Sequence, residues 1–310
     1  MIVIGGENLI DYVQKGTEDG LPTYKAIPGG SCFNCAIAIA RQDQKVAYLT
    51  PISKDTLGQL LASLLKKDGV VLAAPKNNAP TSLAIVSIKN SLPSYQFYRS
   101  KTADRMVTLS KLEATTPQEM SIFHVGSMAL IEGKDAFAWE KFFINQHSKG
   151  ILTSIDPNLR PIVVKKRKPY INRLLRMFKH CDILKLSDED LQYMFPKIPI
   201  EESLKNLAKI TSAIILILTK GKNGAQVFTK SNFCFSIPAI KAKPLVDTVG
   251  AGDTFMGTIL GELQKLEIKD RVDLSHIKRV DLTKIMEKAA KAAALNCQHS
   301  GCNPPYSKEL

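Results

Sequence analysis

The chain has 310 residues, 45% hydrophobic and 23% charged, enough to bury a large α/β core in one domain with a small elaboration rather than two. It has no low-complexity tract and no apolar run long enough to span a bilayer, which excludes disordered and membrane-embedded classes. The net charge of +13 suits attraction of anionic nucleotides; the densest basic run, Lys165-Lys166-Arg167-Lys168, lacks aromatic platforms and reads as a solvated face, with no nucleic-acid partner expected.

Met1-Ile2-Val3-Ile4-Gly5 reads as a first buried strand. No basic leader precedes it and acids arrive at Glu7 and Asp11, so a cytoplasmic protein is expected. Residues 9–27 have the pattern of hairpin strands. After Gly29-Gly30, the run Ala36-Ile37-Ala38-Ile39-Ala40 predicts a helix over 34–42, and a strand follows at 46–51. A second helix, 56–68, carries Leu57, Leu60, Leu61, Leu64 and Leu65 at helical spacing, one stripe for the core. Residues 82–105 again read as hairpin strands, and the two hairpin segments are expected to form a small antiparallel sheet projecting over a site. Strands at 121–126, 151–156, 183–186 and 213–219 then alternate with helices at 134–149 and 200–211, and two more helices follow Asp253 and cover 282–297. This alternation belongs to βαβ units building a mostly parallel sheet.

Six cysteines without a signal segment read as reduced thiols packed as small hydrophobes. Cys32-Phe33-Asn34-Cys35 and the pair Cys297 and Cys302 suggest a four-thiolate zinc site, but Cys35 opens an apolar helix and no further ligand spacing repeats. Structural cysteines are expected.

Gly250-Ala251-Gly252-Asp253 sets three small residues and an acid directly before an apolar helix. Small residues let backbone N–H groups approach a ligand, and a helix N-terminus offers unpaired donors and the positive dipole end, which together cradle an anion. An acid there makes sense if a hydroxyl must lose a proton beside a transferring phosphoryl group. The alternative is a helix cap on a tight turn. Neither GxxxxGK[ST] nor a GxGxxG after the first strand competes for the phosphate role.

Asp247-Thr248-Val249-Gly250-Ala251-Gly252-Asp253-Thr254-Phe255, with Gly257 beyond, resembles the C-terminal signature of the ribokinase-like (PfkB) carbohydrate kinases. Pro28-Gly29-Gly30-Ser31-Cys32-Phe33-Asn34-Cys35-Ala36 resembles their N-terminal signature, with Ser31-Cys32-Phe33 where small residues are often found. Gly6-Glu7-Asn8-Leu9-Ile10-Asp11 is similar to the family's first strand ending in a sugar-binding acid, Asp156-Pro157-Asn158-Leu159-Arg160 to its D-x-N-x-R strand end, and Thr219-Lys220-Gly221-Lys222-Asn223-Gly224 to its T-x-G-x-x-G turn. The resemblance spans the chain. It implies a ribokinase-like three-layer αβα fold over 1–310, with a mostly parallel central sheet and a small antiparallel β lid from segments about 9–27 and 82–105.

The resemblance also implies roles. Asp253 would be the general base, with the backbone of Gly250, Ala251 and Gly252 stabilising charge on the moving phosphoryl group. Asp11, Gly29, Gly30 and Asn34 would hold sugar hydroxyls, joined by Tyr98, Arg99 and Arg160. ATP would meet Lys185, Ser187, Thr219, Gly221 and Gly224, with Asn296 and Gly301 in the loop that borders adenine. Mg²⁺ would arrive with the ATP phosphates; Ser187 and Asp190 stand at the family's N-x-x-E, and Asp190, a methylene shorter than Glu, would act through water. A K⁺ site would form near Asp247 and Val249, largely from backbone carbonyls.

Phe97-Tyr98-Arg99 followed by Ala103-Asp104, and Gly6 to Val13, are similar to fructokinase stretches, which implies fructose as acceptor and fructose 6-phosphate as product. The rival acceptor is 2-keto-3-deoxygluconate, whose carboxylate Arg99 and Arg160 would bind. A non-catalytic sugar- or nucleotide-binding regulator is the alternative of another class, and a homodimer through the lid is compatible with the family.

Overall fold

Ile2 and Ile4 are buried in one apolar cluster and Val3 in another, the period of two that sets a strand between two packed layers. The computed structural model describes residues 1–89, 92–231 and 233–310. Its strands are β1 (Ile2–Gly5), β2 (Leu9–Glu18), β3 (Leu21–Gly29), β4 (Val46–Tyr48), β5 (Val71–Leu72), β6 (Ser82–Lys89), β7 (Leu92–Tyr98), β8 (Ile122–Gly126), β9 (Leu152–Asp156), β10 (Ile183–Ser187), β11 (Ile215–Thr219), β12 (Ala225–Thr229) and β13 (Cys234–Ile237). Nine of them form one sheet in the order β13-β12-β11-β10-β9-β8-β1-β4-β5. Pairing is parallel from β5 to β11 and antiparallel for β12 and β13.

Helices cover both faces, giving the three-layer αβα fold. On one side pack Ser31–Arg41, Thr56–Lys67, Ala251–Lys265 and Arg279–Asn296, through Ile39, Leu61, Leu65, Met256, Leu260 and Met286. On the other pack Lys134–Ser148, Arg167–Phe178, Asp188–Met194 and Ile200–Ile210, through Trp139, Phe142, Leu174, Leu191 and Leu207. Two of the near-side helices approach closely. A methyl group on Gly257 would lie 2.7 Å from the Ala38 Cβ and 2.9 Å from the Cys35 carbonyl, so glycine at that position lets Ser31–Arg41 and Ala251–Lys265 touch backbone to backbone.

The remaining four strands form the lid, in the order β3-β2-β6-β7. Both predicted hairpins are present as antiparallel pairs, β2 with β3 and β6 with β7, and they join through a parallel seam between β2 and β6. That seam pairs residues some seventy positions apart and leaves no local signature in the sequence. Residues 90 and 91 of the expected lid segment lie outside the described residues. The lid's root is pinned to the body. Asp55 caps the helix Thr56–Lys67 through the Gly58 amide (2.7 Å) and accepts from the Thr81 amide and hydroxyl (2.8 and 2.6 Å).

The predicted strands and long helices are all found, with ends shifted by a few residues. Sequence reading missed Arg167–Phe178, whose buried Tyr170, Ile171, Leu174, Met177 and Phe178 follow directly on the basic run, and the short strands β5, β12 and β13. It also missed Asp188–Met194, which starts on a reciprocal capping box between Ser187 and Asp190. Among the described residues no helix is long and apolar enough to cross a membrane.

The centre of the far layer is an aromatic cluster. Phe123 of β8, fully buried, meets Phe142 edge-on at 4.9 Å between centroids and lies 6.1 Å from Trp139 and 6.2 Å from Phe143. Phe123→Ala is expected to lower unfolding free energy by about 3–5 kcal/mol in urea titration; a loss below about 1 kcal/mol would show that the cluster does not anchor this layer.

Candidate active site

Ligands of open parallel sheets bind outside the carboxyl ends of the strands. Here those ends deliver Glu7 after β1, Ser127 after β8, Asp156 to Arg160 after β9, Ser187 on β10 and Thr219 on β11. Two helix N-termini converge on the same region because their helices touch at Gly257.

The first is that of Ala251–Lys265. Gly250 precedes it at φ +77°, the left-handed region, and a side chain there would run into Cys302. The Ala251 amide donates to the Thr248 carbonyl (3.2 Å), while among the described residues the amides of Gly252 and Asp253 have no acceptor. They are open donors at a positive helix end, the arrangement that takes a phosphate. Lys185 on β10 supports it: a methyl group on Gly252 would lie 3.1 Å from the lysine Nζ. Lys185 is buried and paired with Asp156 at 2.7 Å; burial works against its charge, but Asp156 holds its ammonium above the usual range.

Asp253 lies in the first turn with only 7% of its surface exposed. Burial raises its carboxyl above the usual range, and hydrogen bonds from Asn34 and Ser31 pull it back. The Ser31 hydroxyl donates to Oδ1 at 2.7 Å, Asn158 Nδ2 to Oδ1 at 3.3 Å and Asn34 Nδ2 to Oδ2 at 2.8 Å. A carboxylate has about four lone-pair positions. With three occupied, one on Oδ2 is left for an incoming proton.

The second N-terminus is that of Ser31–Arg41. Gly30 precedes it at φ +115°, packed on the Glu7 carbonyl. Glu7 Oε1 accepts from the Ser31 amide (2.9 Å), while Oε2 is buried without a partner among the described residues. Burial raises the Glu7 carboxyl and Arg99 opposes the rise. Beside this turn, Asp11 on β2 faces Gly29, where a methyl group would lie 2.9 Å from Asp11 Oδ2. Burial pushes the Asp11 carboxyl up to about 6, with Arg160 acting the other way. Arg160 itself donates to the Asn158 and Leu159 carbonyls (3.3 and 3.1 Å).

The lid contributes Phe97, Tyr98 and Arg99 to one cavity wall. Register pairs Asp11 with Ala84 and Ala84 with Phe97, so these share a face. Tyr98 pairs with Leu83 on the opposite face and is 57% exposed, with its hydroxyl donating to Gln96 Oε1 (3.4 Å). The Arg99 guanidinium is already engaged, at 3.1 Å from Asp104 and 3.3 Å from the Met128 carbonyl. A cavity of about 540 Å³ lies between lid and body beside Arg99, walled by Phe97, Met128, Val163 and Lys165.

On the nucleotide side Ser187 and Thr219 sit side by side in register at their strand ends. The Ser187 oxygen accepts from the Asp190 amide (3.0 Å), and Thr219 donates to the Leu186 carbonyl (3.2 Å). Gly221 and Gly224 form the turn into β12, closed by the Lys220 amide on the Gly224 carbonyl (2.8 Å). Three expected contacts are redirected. Asn296 is fully buried, donating to the Val249 carbonyl (2.8 Å) and accepting from the Asn303 amide (2.8 Å), so its side chain clamps the C-terminal loop instead of facing the nucleotide. Asp247 accepts from the amides of Val249 (3.1 Å) and Gly301 (2.9 Å), which ties the expected cation segment to the same loop and leaves the Val249 carbonyl already engaged. Asp190 accepts from Leu159 and Ser187 amides (2.7 and 2.9 Å), one on each oxygen. Among the described residues no group of three His, Cys, Asp or Glu could hold a metal ion. The cysteines are all free thiols.

Sequence reading brought Asp253, Asn34, Asp11, Gly29, Gly30 and Lys185 to one region and missed Ser31, Asn158, Asp156 and Glu7. Asp156 and Asn158 stood in the D-x-N-x-R stretch and Glu7 in the G-E opening; the signal was present, but attention went to Arg160 and Asp11. Asn158 adopts φ +38°, an uncommon left-handed conformation that aims its amide at Ser31 and Asp253.

A sequence model of the pfkB family of carbohydrate kinases matches residues 2–309. The chain is 32% identical over 265 residues to a fructokinase of Rhizobium leguminosarum bv. trifolii, across 85% of this chain and 80% of that protein. To fructokinase-1 of Zea mays it is 28% identical over 315 residues, 100% of this chain and 95% of that protein. Among solved structures, fructokinase from Xylella fastidiosa with bound ATP matches at TM-score 0.91 and 23% identity, over 99% of this chain and 96% of that chain, a likeness of fold. The chain belongs to the pfkB family of carbohydrate kinases and is an ATP-dependent carbohydrate kinase.

Proposed function

We propose that this kinase transfers the γ-phosphoryl group of ATP to the 6-hydroxyl of fructose, with Asp253 as general base. One observation carries the reading: a buried carboxylate with one open lone pair stands beside open helix amides backed by Lys185, and is held by the N-terminus of Ser31–Arg41, whose preceding Gly29 faces Asp11. The fructokinase names of the relatives and the ATP of the Xylella structure support it.

In this mechanism the ATP phosphates lie against the amides of Gly252 and Asp253, and fructose lies under the lid with hydroxyls on Asp11. The 6-hydroxyl proton passes to Asp253 Oδ2 as the sugar oxygen bonds to the γ-phosphorus. The bond to the β,γ-bridging oxygen breaks and ADP leaves with that charge. Loose phosphoryl transfer gives the protein mainly positioning and charge stabilisation to do, and the amides and Lys185 supply both. Magnesium, carried in with the ATP phosphates, would neutralise part of their charge, with Asp190 reaching it through water. A K⁺ ion near Asp247 and Val249 would act on the loop that holds Gly301.

The fructokinase names of the relatives support fructose over 2-keto-3-deoxygluconate as acceptor. A carboxylate acceptor would meet Arg99 beside the Asp104 carboxylate it already pairs with at 3.1 Å, a like charge that disfavours it. The reading takes the chain as one catalytic domain with an inserted lid, acting in the cytoplasm. A homodimer would bring together the outer lid faces bearing Tyr24 and Tyr98.

Asp253→Asn is expected to keep the fold and sugar affinity while lowering turnover about two to four orders of magnitude in a coupled ADP assay; near-normal turnover would remove Asp253 from the role. In a screen of fructose, 2-keto-3-deoxygluconate, ribose, tagatose 6-phosphate and adenosine, fructose should give the highest kcat/KM, and preference for another acceptor would reassign the substrate. Asp11 accepts sugar hydroxyls as a carboxylate, the form present above about pH 6. The KM for sugar should therefore climb as pH falls below that value, and Asp11→Asn should raise KM and flatten its dependence on pH; an unchanged dependence would place Asp11 outside the sugar site.

A further inference from the structure

The base has a partner that the proposed mechanism leaves unused. Ser31 is the first residue of its helix, and its hydroxyl proton is directed. Asn158 Nδ2 donates to the Ser31 oxygen at 2.9 Å, and the hydroxyl in turn donates to Asp253 Oδ1 at 2.7 Å. The Ser31 backbone is fixed as well, since its amide donates to Glu7 Oε1 at 2.9 Å and Gly30 before it packs on the Glu7 carbonyl. Three strand ends and two helix starts thus fix one hydroxyl group.

We infer that Ser31 is a positioning residue of the phosphoryl transfer: its hydroxyl is a standing donor to Asp253 Oδ1, so that Oδ2 alone meets the substrate hydroxyl and the basicity of the carboxylate is held down. This rests on Asp253 being the base. Burial favours the protonated form of a carboxylate, and a hydrogen bond to the charged form opposes that by lowering the pKa. Other groups facing Asp253 set the background. Asp156 after β9 raises its carboxyl and Arg160 lowers it, Lys185 on β10 is paired with Asp156, and the neighbouring thiols of Cys32, Cys35 and Cys302 are held neutral by burial. Glu7 acts at one remove, through the Ser31 amide. Among the described residues only Ser31, Asn158 and Asn34 donate side-chain hydrogen bonds to Asp253, and Ser31 makes the shortest.

The test is the pH profile of kcat at saturating ATP and sugar, where sugar binding through Asp11 no longer limits the rate. Ser31→Ala should move the acid limb of kcat up by about one pH unit, with plateau kcat within about threefold of the parent and both KM values within about twofold. Ser31→Thr, which keeps a hydroxyl, should restore the limb. Asn158→Ala removes a donor to Asp253 and to Ser31 and should move the limb in the same direction, which keeps the idea testable if Ser31→Ala fails to fold. An unmoved limb in the Ala variants would overturn the inference, as would an equal shift in Ser31→Thr. A rise of about tenfold in sugar KM with the limb in place would also overturn it and make Ser31 a sugar contact. Asp253→Asn in the same series separates the failures. Near-normal turnover there defeats the base assignment itself, whereas lost turnover with an unmoved Ser31→Ala limb defeats only the role of Ser31.

Discussion

The hydrogen-bonded burial of one carboxylate organises this molecule. Asp253 sits almost out of solvent, and leaving such a charge unpaired costs several kcal/mol. Its donors come from 219 and 222 residues away, at Asn34 and Ser31, and from 95 residues away, at Asn158. Together they are in place only when β1, β9 and the helices Ser31–Arg41 and Ala251–Lys265 are docked. The site is therefore a late product of the whole α/β layer arrangement, and its charge is tolerable only in the finished fold.

That dependence explains where close packing is tightest. The helices Ser31–Arg41 and Ala251–Lys265 would stand further apart if Gly257 carried a side chain, and their N-termini would then no longer meet. Each of those N-termini starts on a glycine in the left-handed region, Gly30 against the Glu7 backbone and Gly250 against Cys302. Three glycines thus set the distance between the sugar-side turn and the phosphate-side turn. The buried pair Lys185–Asp156 lies beneath both and keeps a positive charge next to the open amides, where a phosphate would sit.

Much of this was legible in the sequence, and the limits have physical causes. The central strands and long helices follow from apolar period, and the Gly250 to Asp253 turn from its composition before an apolar helix. A motif names residue types in order, whereas the pleat decides which of two neighbours shares a face with Asp11; register through Ala84 puts Phe97 there and Tyr98 on the other face. Asn296 was expected in the loop bordering adenine and Asp190 at the magnesium through water; the Asn296 amide is spent on the Val249 carbonyl and the Asn303 amide, and Asp190 takes one backbone amide on each oxygen, contacts that only the folded loops bring near. Ser31 had no local signal at all, since its partner Asp253 lies at the other end of the chain.

At the root of the lid, charges are buried in pairs. With +13 overall, the protein attracts anions broadly, which serves ATP but would also admit acidic sugars. At the lid's root the charge is cancelled internally. Asp104 accepts from Arg99, from the Ser82 hydroxyl (2.6 Å) and from Thr102 (2.7 Å), and Asp135 pairs with Arg105 at 2.8 Å. Arg99 therefore meets the pocket as half of a buried ion pair whose geometry the Ser82 and Thr102 hydroxyls fix. Lys185 is paired with Asp156 in the same way, so among the described residues the donors left open beside Asp253 are the helix amides of Gly252 and Asp253 rather than the lysine ammonium. A helix end of this kind attracts an anion without a free side-chain cation, because its donors are fixed in the backbone.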